Sequence, residues 1–201
     1  RNSLAGEKTG TGSEREINDR FIGSGYKEAW ESVLSSDCLH VIAEQGVRVV
    51  FFPHANVLPY VEAGLFTVPD YVELAFDDGR CTIQEYFRMA SLFITDYSST
   101  AFEAAYLEKQ CLYYQFDRKT FSSGMHTLAK GYFDYERDGF GPVVTTESEL
   151  VKAIEEFARV GFVPQDPYRS RMKETFLFRD GKCCERAYEA IKSLDDPSAV
   201  F

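Results

Sequence analysis

The sequence predicts an α/β fold in which helices flank a parallel β-sheet. Short apolar runs of strand length alternate along the chain with longer helix-like patterns. The clearest strand covers residues 47–52, which are mostly β-branched or aromatic and are followed by Pro53, and residues 92–94 and 111–114 form similar runs. Because parallel strands must be joined by crossovers, usually helices, this alternation favours βαβ units. We therefore expect a Rossmann-like sheet with helices on its faces.

Capping signals place the remaining elements. Thr82 and Thr146 each precede an amphipathic run and are typical helix N-caps. In the last helix, the spacing of Ala187, Ala190 and Ile191 predicts a face turned toward the core. The predicted helices are residues 26–34, 37–45, 83–90, 101–107, 147–160, 168–176 and 183–194, and two further strands are expected at 71–76 and 142–144.

The length of 201 residues favours a single domain, and a hydrophobic content of 44% is enough for its core. We expect residues 25–201 to form this domain and residues 1–24 to be a polar loop or linker. Because position 1 is not methionine, we interpret the chain as a fragment that the linker enters from a preceding part of a longer protein. The Gly-Thr-Gly-Ser run at residues 10–13 lacks a preceding strand and the end of a P-loop, so we interpret it as part of this linker.

Charge and cysteine content exclude several classes of protein. A net charge of −10 argues against binding nucleic acid through the surface as a whole, although a local phosphate pocket remains compatible with it. The five cysteines are odd in number and lack a C-x-x-C pair, which indicates free thiols in a reducing cytoplasm. No signal peptide and no apolar run of membrane-spanning length is present.

The segment 92–107 is the strongest candidate for a site. An apolar run is followed by Asp-Tyr-Ser-Ser at residues 96–99 and then by a helical pattern, which predicts a strand, a tight turn and a helix. Hydroxyls at a helix start favour phosphate binding, although Ser98 and Ser99 would look the same as simple helix caps. A serine nucleophile is disfavoured because no G-x-S-x-G context is present, and no histidine pair has metal-ligand spacing.

Two further regions carry candidate residues. His54 follows the strand at 47–52, and ligands of parallel sheets collect at the carboxyl ends of strands, although a surface histidine that caps nearby backbone is an equally simple interpretation. The long segment 115–141 combines aromatic residues with Arg118 and Arg137. Its aromatic residues are suited either to stacking on a base or sugar or to anchoring the loop, and its cations are suited to phosphate.

Several separated motifs resemble one known family, the CDP-glycerol glycerophosphotransferases, or TagF-like teichoic acid polymerases. Together they extend the resemblance over roughly residues 47–194. The motifs are residues 51–54 (Phe-Phe-Pro-His), 94–99 (Ile-Thr-Asp-Tyr-Ser-Ser), 101–107 (Ala-Phe-Glu-Ala-Ala-Tyr-Leu), 113–117 (Tyr-Tyr-Gln-Phe-Asp) and the Gly-Tyr-Phe-Asp-Tyr-Glu-Arg-Asp-Gly-Phe-Gly-Pro run at 131–142.

The resemblance implies the nucleotide-donor half of a GT-B-type fold and a set of donor-site residues. Ser98 and Ser99 match serines that hold the donor pyrophosphate, and Glu103 matches an acidic position whose partner would be a ribose or glycerol hydroxyl. His54 matches a histidine that would stabilise charge on the leaving group. Phe52 stands where some members carry arginine, so we expect Arg118 or Arg137 to supply the phosphate-binding charge.

The resemblance also implies the reaction and the partners. The protein would transfer glycerol phosphate from CDP-glycerol to a polyol-phosphate or glycan acceptor, release CMP, and use no cofactor, metal or nucleic acid. An N-terminal acceptor domain of the same protein would lie outside these residues, and membrane contact at the inner, cytoplasmic face would come from other parts of the protein. The fragment alone is expected to be inactive. The alternatives are a CDP-ribitol or nucleotide-sugar transferase of the same fold and a non-catalytic nucleotide-binding module.

Overall fold

All strand pairings in the described part of the chain are parallel. The computed structural model describes residues 14–76, 82–121 and 132–194. One ladder pairs β1 (Val49–Phe51) with β2 (Val72–Leu74), and the other has the order β3 (Leu92–Thr95), β4 (Gln110–Tyr114) and β5 (Val143–Val144). The predicted α/β class with parallel strands is confirmed, with the strands divided between two ladders.

Helices precede, separate and follow these strands, and most begin within one residue of the predicted position. The capping box of Thr82 and Glu85 forms, and so does a second one in which the Thr146 Oγ1 accepts from the backbone N–H of Glu149 at 3.3 Å. The described helices are α1 (Glu14–Ile22), α2 (Gly25–Leu34), α3 (Asp37–Glu44), α4 (Leu58–Glu62), α5 (Ile83–Met89), α6 (Ala101–Tyr106), α7 (Arg118–Phe121), α8 (Glu147–Arg159), α9 (Tyr168–Thr175) and α10 (Cys183–Leu194).

The prediction of a polar loop over residues 1–24 is wrong for Glu14–Ile22, which form helix α1. Charged residues dominate this stretch, but Phe21 is fully buried and its ring stacks on that of Tyr60 at a centroid distance of 3.8 Å. The buried Phe21 side chain thus anchors a largely charged helix, whose composition resembles that of a loop. Residues 1–13, including the glycine-rich run at 10–13, lie outside the described residues.

The predicted inward face of the last helix is also wrong. Helix α10 has the predicted bounds, but Ala187 and Ala190 are exposed and Ile191 keeps 64% of its surface accessible. The apolar spacing identified an amphipathic helix correctly, but none of the side chains of this helix is buried against the described residues. In the described ranges, no helix combines the length and the apolar character needed to cross a membrane.

The core is centred on β4, whose five residues are all buried. Leu112 and Tyr114 pack into a large cluster with Phe51 of the first ladder and Leu150 of α8, so both ladders share this core. Cys111 belongs to a second, smaller cluster with Ala104 and Ala105 of α6, Phe87, Phe140 and Met172. Because β4 is covered on both faces, a ligand can approach it only at its ends, and in parallel sheets the carboxyl end is the usual place for a site.

Candidate functional site

A pocket of about 210 Å³ lies at the carboxyl ends of β3 and β4, which is where parallel α/β sheets bind ligands. Three parts of the chain form it: the turn between β3 and α6 with the start of that helix, the end of β4, and the segment 132–135 that precedes β5. The lining residues are Tyr97, Ser98, Ser99, Ala101, Phe102, Tyr113, Tyr132, Phe133 and Tyr135.

The aromatic rings of the pocket pack edge to face in a continuous network. Tyr135 is its centre, with ring centroids 5.0 Å from Tyr113, 5.3 Å from Phe133 and 5.7 Å from Tyr97. These distances and steep interplanar angles are the favoured geometry of aromatic pairs. Tyr132 differs from the others because 89% of its surface is exposed, so its ring stands at the mouth of the pocket.

Ion pairs and backbone hydrogen bonds fix the segment that carries Tyr132 and Tyr135. The Arg137 guanidinium donates to the carbonyl of Tyr132 at 2.8 Å and to both carboxylate oxygens of Asp138 at 2.7 Å. The Asp138 carboxylate also accepts from the N–H of Asp134 at 2.8 Å. The hydrogen bond from Arg137 is the main cause that lowers the pKa of Asp138 to about 2. The pocket wall is therefore held by a charged clamp rather than by apolar packing alone.

Two glycines allow close backbone approaches in the same segment. A Cβ on Gly139 would lie 2.0 Å from the carbonyl oxygen of Tyr135, and one on Gly141 would lie 1.9 Å from that of Cys111. Between them, the N–H of Phe140 donates to the Tyr113 hydroxyl at 3.3 Å. A larger residue at position 141 would push the wall away from β4, whereas one at position 139 would open the turn that begins at Tyr135.

The phenols of the pocket are neutral hydrogen-bonding groups. Burial is the main cause that raises the pKa of Tyr97, Tyr113 and Tyr135, the last to about 12. The charges of Asp117 and Asp96 raise the pKa of Tyr97 further, and Asp96, which is only 5% exposed, does the same for Tyr135. All three hydroxyls therefore stay protonated at neutral pH and can donate as well as accept.

The structure places Ser98 and Ser99 in the pocket lining, as the sequence motif suggested. The Ser98 Oγ lies 2.7 Å from the Thr100 Oγ1 and accepts from the Thr100 N–H at 3.3 Å, while Ser99 is exposed. Helix α6 behind them has only six residues, and Thr100 makes no side-chain cap hydrogen bond. Since the dipole of so short a helix is small, the hydroxyls rather than the dipole would dominate binding to an anion here.

His54 and Glu103 do not belong to the pocket lining. Both are exposed: His54 follows β1 of the other ladder, where its Nδ1 accepts from the N–H of Asn56 at 3.1 Å, and Glu103 lies in the first turn of α6. In the part of the chain that the structure describes, no three His, Cys, Asp or Glu side chains are grouped as metal ligands.

The two arginines predicted to bind phosphate contact carboxylates. The Arg118 Nη1 lies 2.7 Å from the Glu136 Oε1, and this hydrogen bond is the main cause that raises the pKa of Arg118. The charge of Asp134 contributes to the same shift, and because Glu136 directly follows the lining residue Tyr135, Arg118 stands beside the pocket. Arg137 belongs to the clamp described above. Both guanidiniums thus stand near the site with acidic partners already in place.

Sequence reasoning missed Tyr113 and Phe102 as members of the site. Tyr113 is in a buried strand and Phe102 is on an apolar helix face, and both patterns are typical of core residues. The only local signal was that Tyr113 stands near the carboxyl end of its strand. The aromatic segment 131–141 was recognised as a candidate, and its residues 132, 133 and 135 do line the pocket.

Comparison with known proteins gives consistent matches. Residues 18–193 match the family profile described as CDP-Glycerol:Poly(glycerophosphate) glycerophosphotransferase. The chain is 30% identical over 183 residues to the minor teichoic acid biosynthesis protein GgaB of Bacillus subtilis (strain 168), which covers 90% of this chain and 19% of that protein. It is 31% identical over 110 residues to the teichoic acid poly(glycerol phosphate) polymerase of the same strain, covering 55% of this chain and 14% of that protein.

Solved structures of the wall teichoic acid polymerase TagF are also similar. A histidine-to-alanine variant shares 18% identity with a TM-score of 0.47, over 88% of this chain and 50% of that chain. The unsubstituted protein gives 16% identity and a TM-score of 0.46 with the same coverage. The chain spans less than a fifth of the length of these two Bacillus subtilis proteins. Because the family profile covers most of its length, the chain belongs to the CDP-glycerol:poly(glycerophosphate) glycerophosphotransferase family.

Proposed function

We propose that this domain binds the nucleotide donor of a GT-B-type glycerophosphotransferase that builds teichoic acid or a similar polymer. Membership of the family supports the reaction class. The observation that carries the assignment of the site is that Ser98 and Ser99 line a pocket at the carboxyl ends of two parallel strands. The donor would be CDP-glycerol and the acceptor a polyol phosphate or glycan.

The reaction proposed is displacement at phosphorus. An acceptor hydroxyl oxygen forms a bond to the β-phosphorus of CDP-glycerol, and the bond from that phosphorus to the bridging oxygen of the diphosphate breaks. CMP leaves with the bridging oxygen, and the acceptor proton passes to a base that we assign to the acceptor domain. Such a step depends mainly on positioning and on neutralising negative charge.

The residues of this chain would divide that work. The hydroxyls of Ser98 and Ser99 would hold the diphosphate, and His54 as imidazolium would stabilise the charge on the departing CMP. Glu103 is repelled by phosphate, so we assign it to a hydroxyl of the ribose or the glycerol. Arg118 would supply positive charge if phosphate oxygens replace Glu136 as its partner, and Arg137 is the second candidate for this role.

The test combines binding to the 201-residue chain with turnover by the complete enzyme that contains it. We expect the chain to bind CDP without releasing CMP from CDP-glycerol, and we expect the complete enzyme to release it. Replacing Ser98 and Ser99 together by alanine should lower that turnover at least tenfold, because two hydrogen bonds to charged oxygens are lost. The matched control is Ser148→Ala, at an exposed serine in α8. Wild-type turnover in the double variant would refute the assignment of these serines.

A nucleotide-sugar or CDP-ribitol donor is the second candidate function. One observation favours it: Phe52 stands where some members of the family carry arginine, so a charge that would bind the donor phosphate is absent at this position. The leaving group distinguishes the candidates, because transfer of glycerol phosphate or ribitol phosphate releases CMP, whereas transfer of a sugar releases a nucleoside diphosphate. A panel of donors assayed for both products therefore identifies the donor.

A further inference from the structure

We infer that the aromatic pocket holds the nucleobase of the donor, that Tyr132 is its stacking surface, and that the diphosphate lies at the mouth of the pocket, against the hydroxyls of Ser98 and Ser99. This inference rests on the proposed function and assigns a separate subsite to each part of the nucleotide.

The composition of the pocket favours a base over a diphosphate. Of its nine lining residues, six are aromatic, two are serines and one is alanine, so none of the described lining residues is charged. The charged groups that do act on the phenols of the pocket include the carboxylates of Asp96 and Asp117. A diphosphate would lose most of its hydration there and meet negative charge, whereas a neutral planar ring would lose little.

The size of the pocket leads to the same assignment. A cavity of about 150 Å³ accommodates benzene, and the volume here is about 210 Å³. This is space for one six-membered ring with its polar substituents, and it is too small for a complete nucleoside diphosphate. The sugar and phosphates must therefore leave through the mouth, where Ser99 is exposed.

Tyr132 has the position and the support that a stacking residue needs. Its ring is 89% exposed although it lines the pocket, so a face is available to a ligand. Its backbone is fixed by the 2.8 Å hydrogen bond from Arg137, so little order has to be gained on binding. The other tyrosine rings pack edge to face with their neighbours and form the walls. Their protonated hydroxyls, together with the nearby carboxylates, provide donors and acceptors for the edge of a base.

The experiment measures binding of two probes to the complete 201-residue chain by NMR titration. CMP carries a base and a phosphate, and ribose 5-phosphate carries the phosphate without the base. Because stacking of a base on an aromatic ring contributes about 1–3 kcal/mol, Tyr132→Ala should raise the Kd for CMP by about 5- to 150-fold and leave that for ribose 5-phosphate unchanged. Tyr132→Phe should retain the CMP affinity, since the ring face and not the hydroxyl is used.

Two controls separate stacking from other effects. Tyr188→Ala removes a tyrosine that is 63% exposed on α10 and should change neither Kd. Ser98→Ala combined with Ser99→Ala should weaken both probes to a similar extent, because both carry the phosphate. An unchanged CMP affinity in Tyr132→Ala, equal binding of the two probes, or no binding of CMP at millimolar concentration would each overturn the base-site assignment.

The outcome is independent of the proposed reaction. If UMP binds more tightly than CMP and still depends on Tyr132, the base site stands and CDP-glycerol is the wrong donor. If the complete enzyme releases CMP from CDP-glycerol while Tyr132→Ala binds CMP normally, the reaction stands and the base site is wrong.

Discussion

Replacement of Gly141 by alanine tests the close approach that builds the pocket wall. The added Cβ would lie 1.9 Å from the carbonyl oxygen and 2.4 Å from the carbonyl carbon of Cys111, both backbone atoms of the central strand. An ordinary contact needs at least 3.4 Å, so the two segments would have to separate by about 1.5 Å. Because Gly141 is not among the residues with positive φ, the cost is steric and does not come from the backbone dihedral.

That separation would break the strand pairing that follows the glycine. The N–H of Tyr113 donates to the carbonyl of Pro142 at 2.9 Å, and that of Gln115 donates to Val144 at 2.8 Å. Two lost hydrogen bonds of about 1 kcal/mol each, with about 1–3 kcal/mol for overpacking, predict a loss of about 3–5 kcal/mol in the free energy of unfolding. For a chain of this length, this corresponds to a fall in Tm of about 6–20 °C.

Thermal unfolding followed by circular dichroism measures this loss, with Gly25→Ala as the matched control. A Cβ on Gly25 meets nothing within 4 Å, and this exposed glycine opens helix α2, so its replacement should change stability by less than about 1 kcal/mol. Equal Tm values for the two variants would show that the wall segment does not press on β4, and the geometry derived for the pocket would then be wrong.

Two further predictions concern buried and clamped groups. Burial raises the pKa of the Cys111 thiol to about 12, so iodoacetamide should label exposed Cys183 in the native chain and reach Cys111 only after unfolding. Peptide mass spectrometry measures the labelling of each cysteine, and equal labelling rates for the two would contradict the burial of Cys111. The pKa of Asp138 is lowered from 3.8 to about 2 by its hydrogen bond from Arg137, so the stability it contributes is fully present above pH 3.8 and is lost as the pH falls toward 2. In urea unfolding, Asp138→Asn should lower the free energy of unfolding at neutral pH. Between pH 3.8 and 2, the variant should lose less of this free energy than the wild type does. Equal losses in the two proteins would refute the clamp.

The sequence was sufficient for most elements of the fold because their signals are local. Apolar runs and capping residues predicted the bounds of α5 and α8 to within one residue. They predicted the bounds of the strands to within two or three residues. The two failures, at α1 and α10, concern which surface covers a helix. Burial of Phe21 depends on Tyr60, which is 39 residues away, and no local pattern predicts such a contact.

The same distinction explains how much of the site could be predicted. The serines were found because the strand, the turn and the helix that present them are consecutive in sequence. The pocket opposite them was not, because Tyr113 and Tyr135 meet only where Gly141 brings a later segment against β4. Residue type suggested a phosphate role for Arg118, whereas its contact with Glu136 depends on the folded chain.

The pairing of Arg118 bears directly on how a nucleotide would be recognised. A guanidinium that already has a carboxylate partner attracts a phosphate only to the extent that the phosphate is the better acceptor, so its net contribution to affinity is the difference between two ion pairs. The uncharged pocket has no such competition, since an empty aromatic slot gains the full stacking interaction when a base enters it. In this geometry the rings would therefore supply most of the affinity, and the charges would decide where the diphosphate lies.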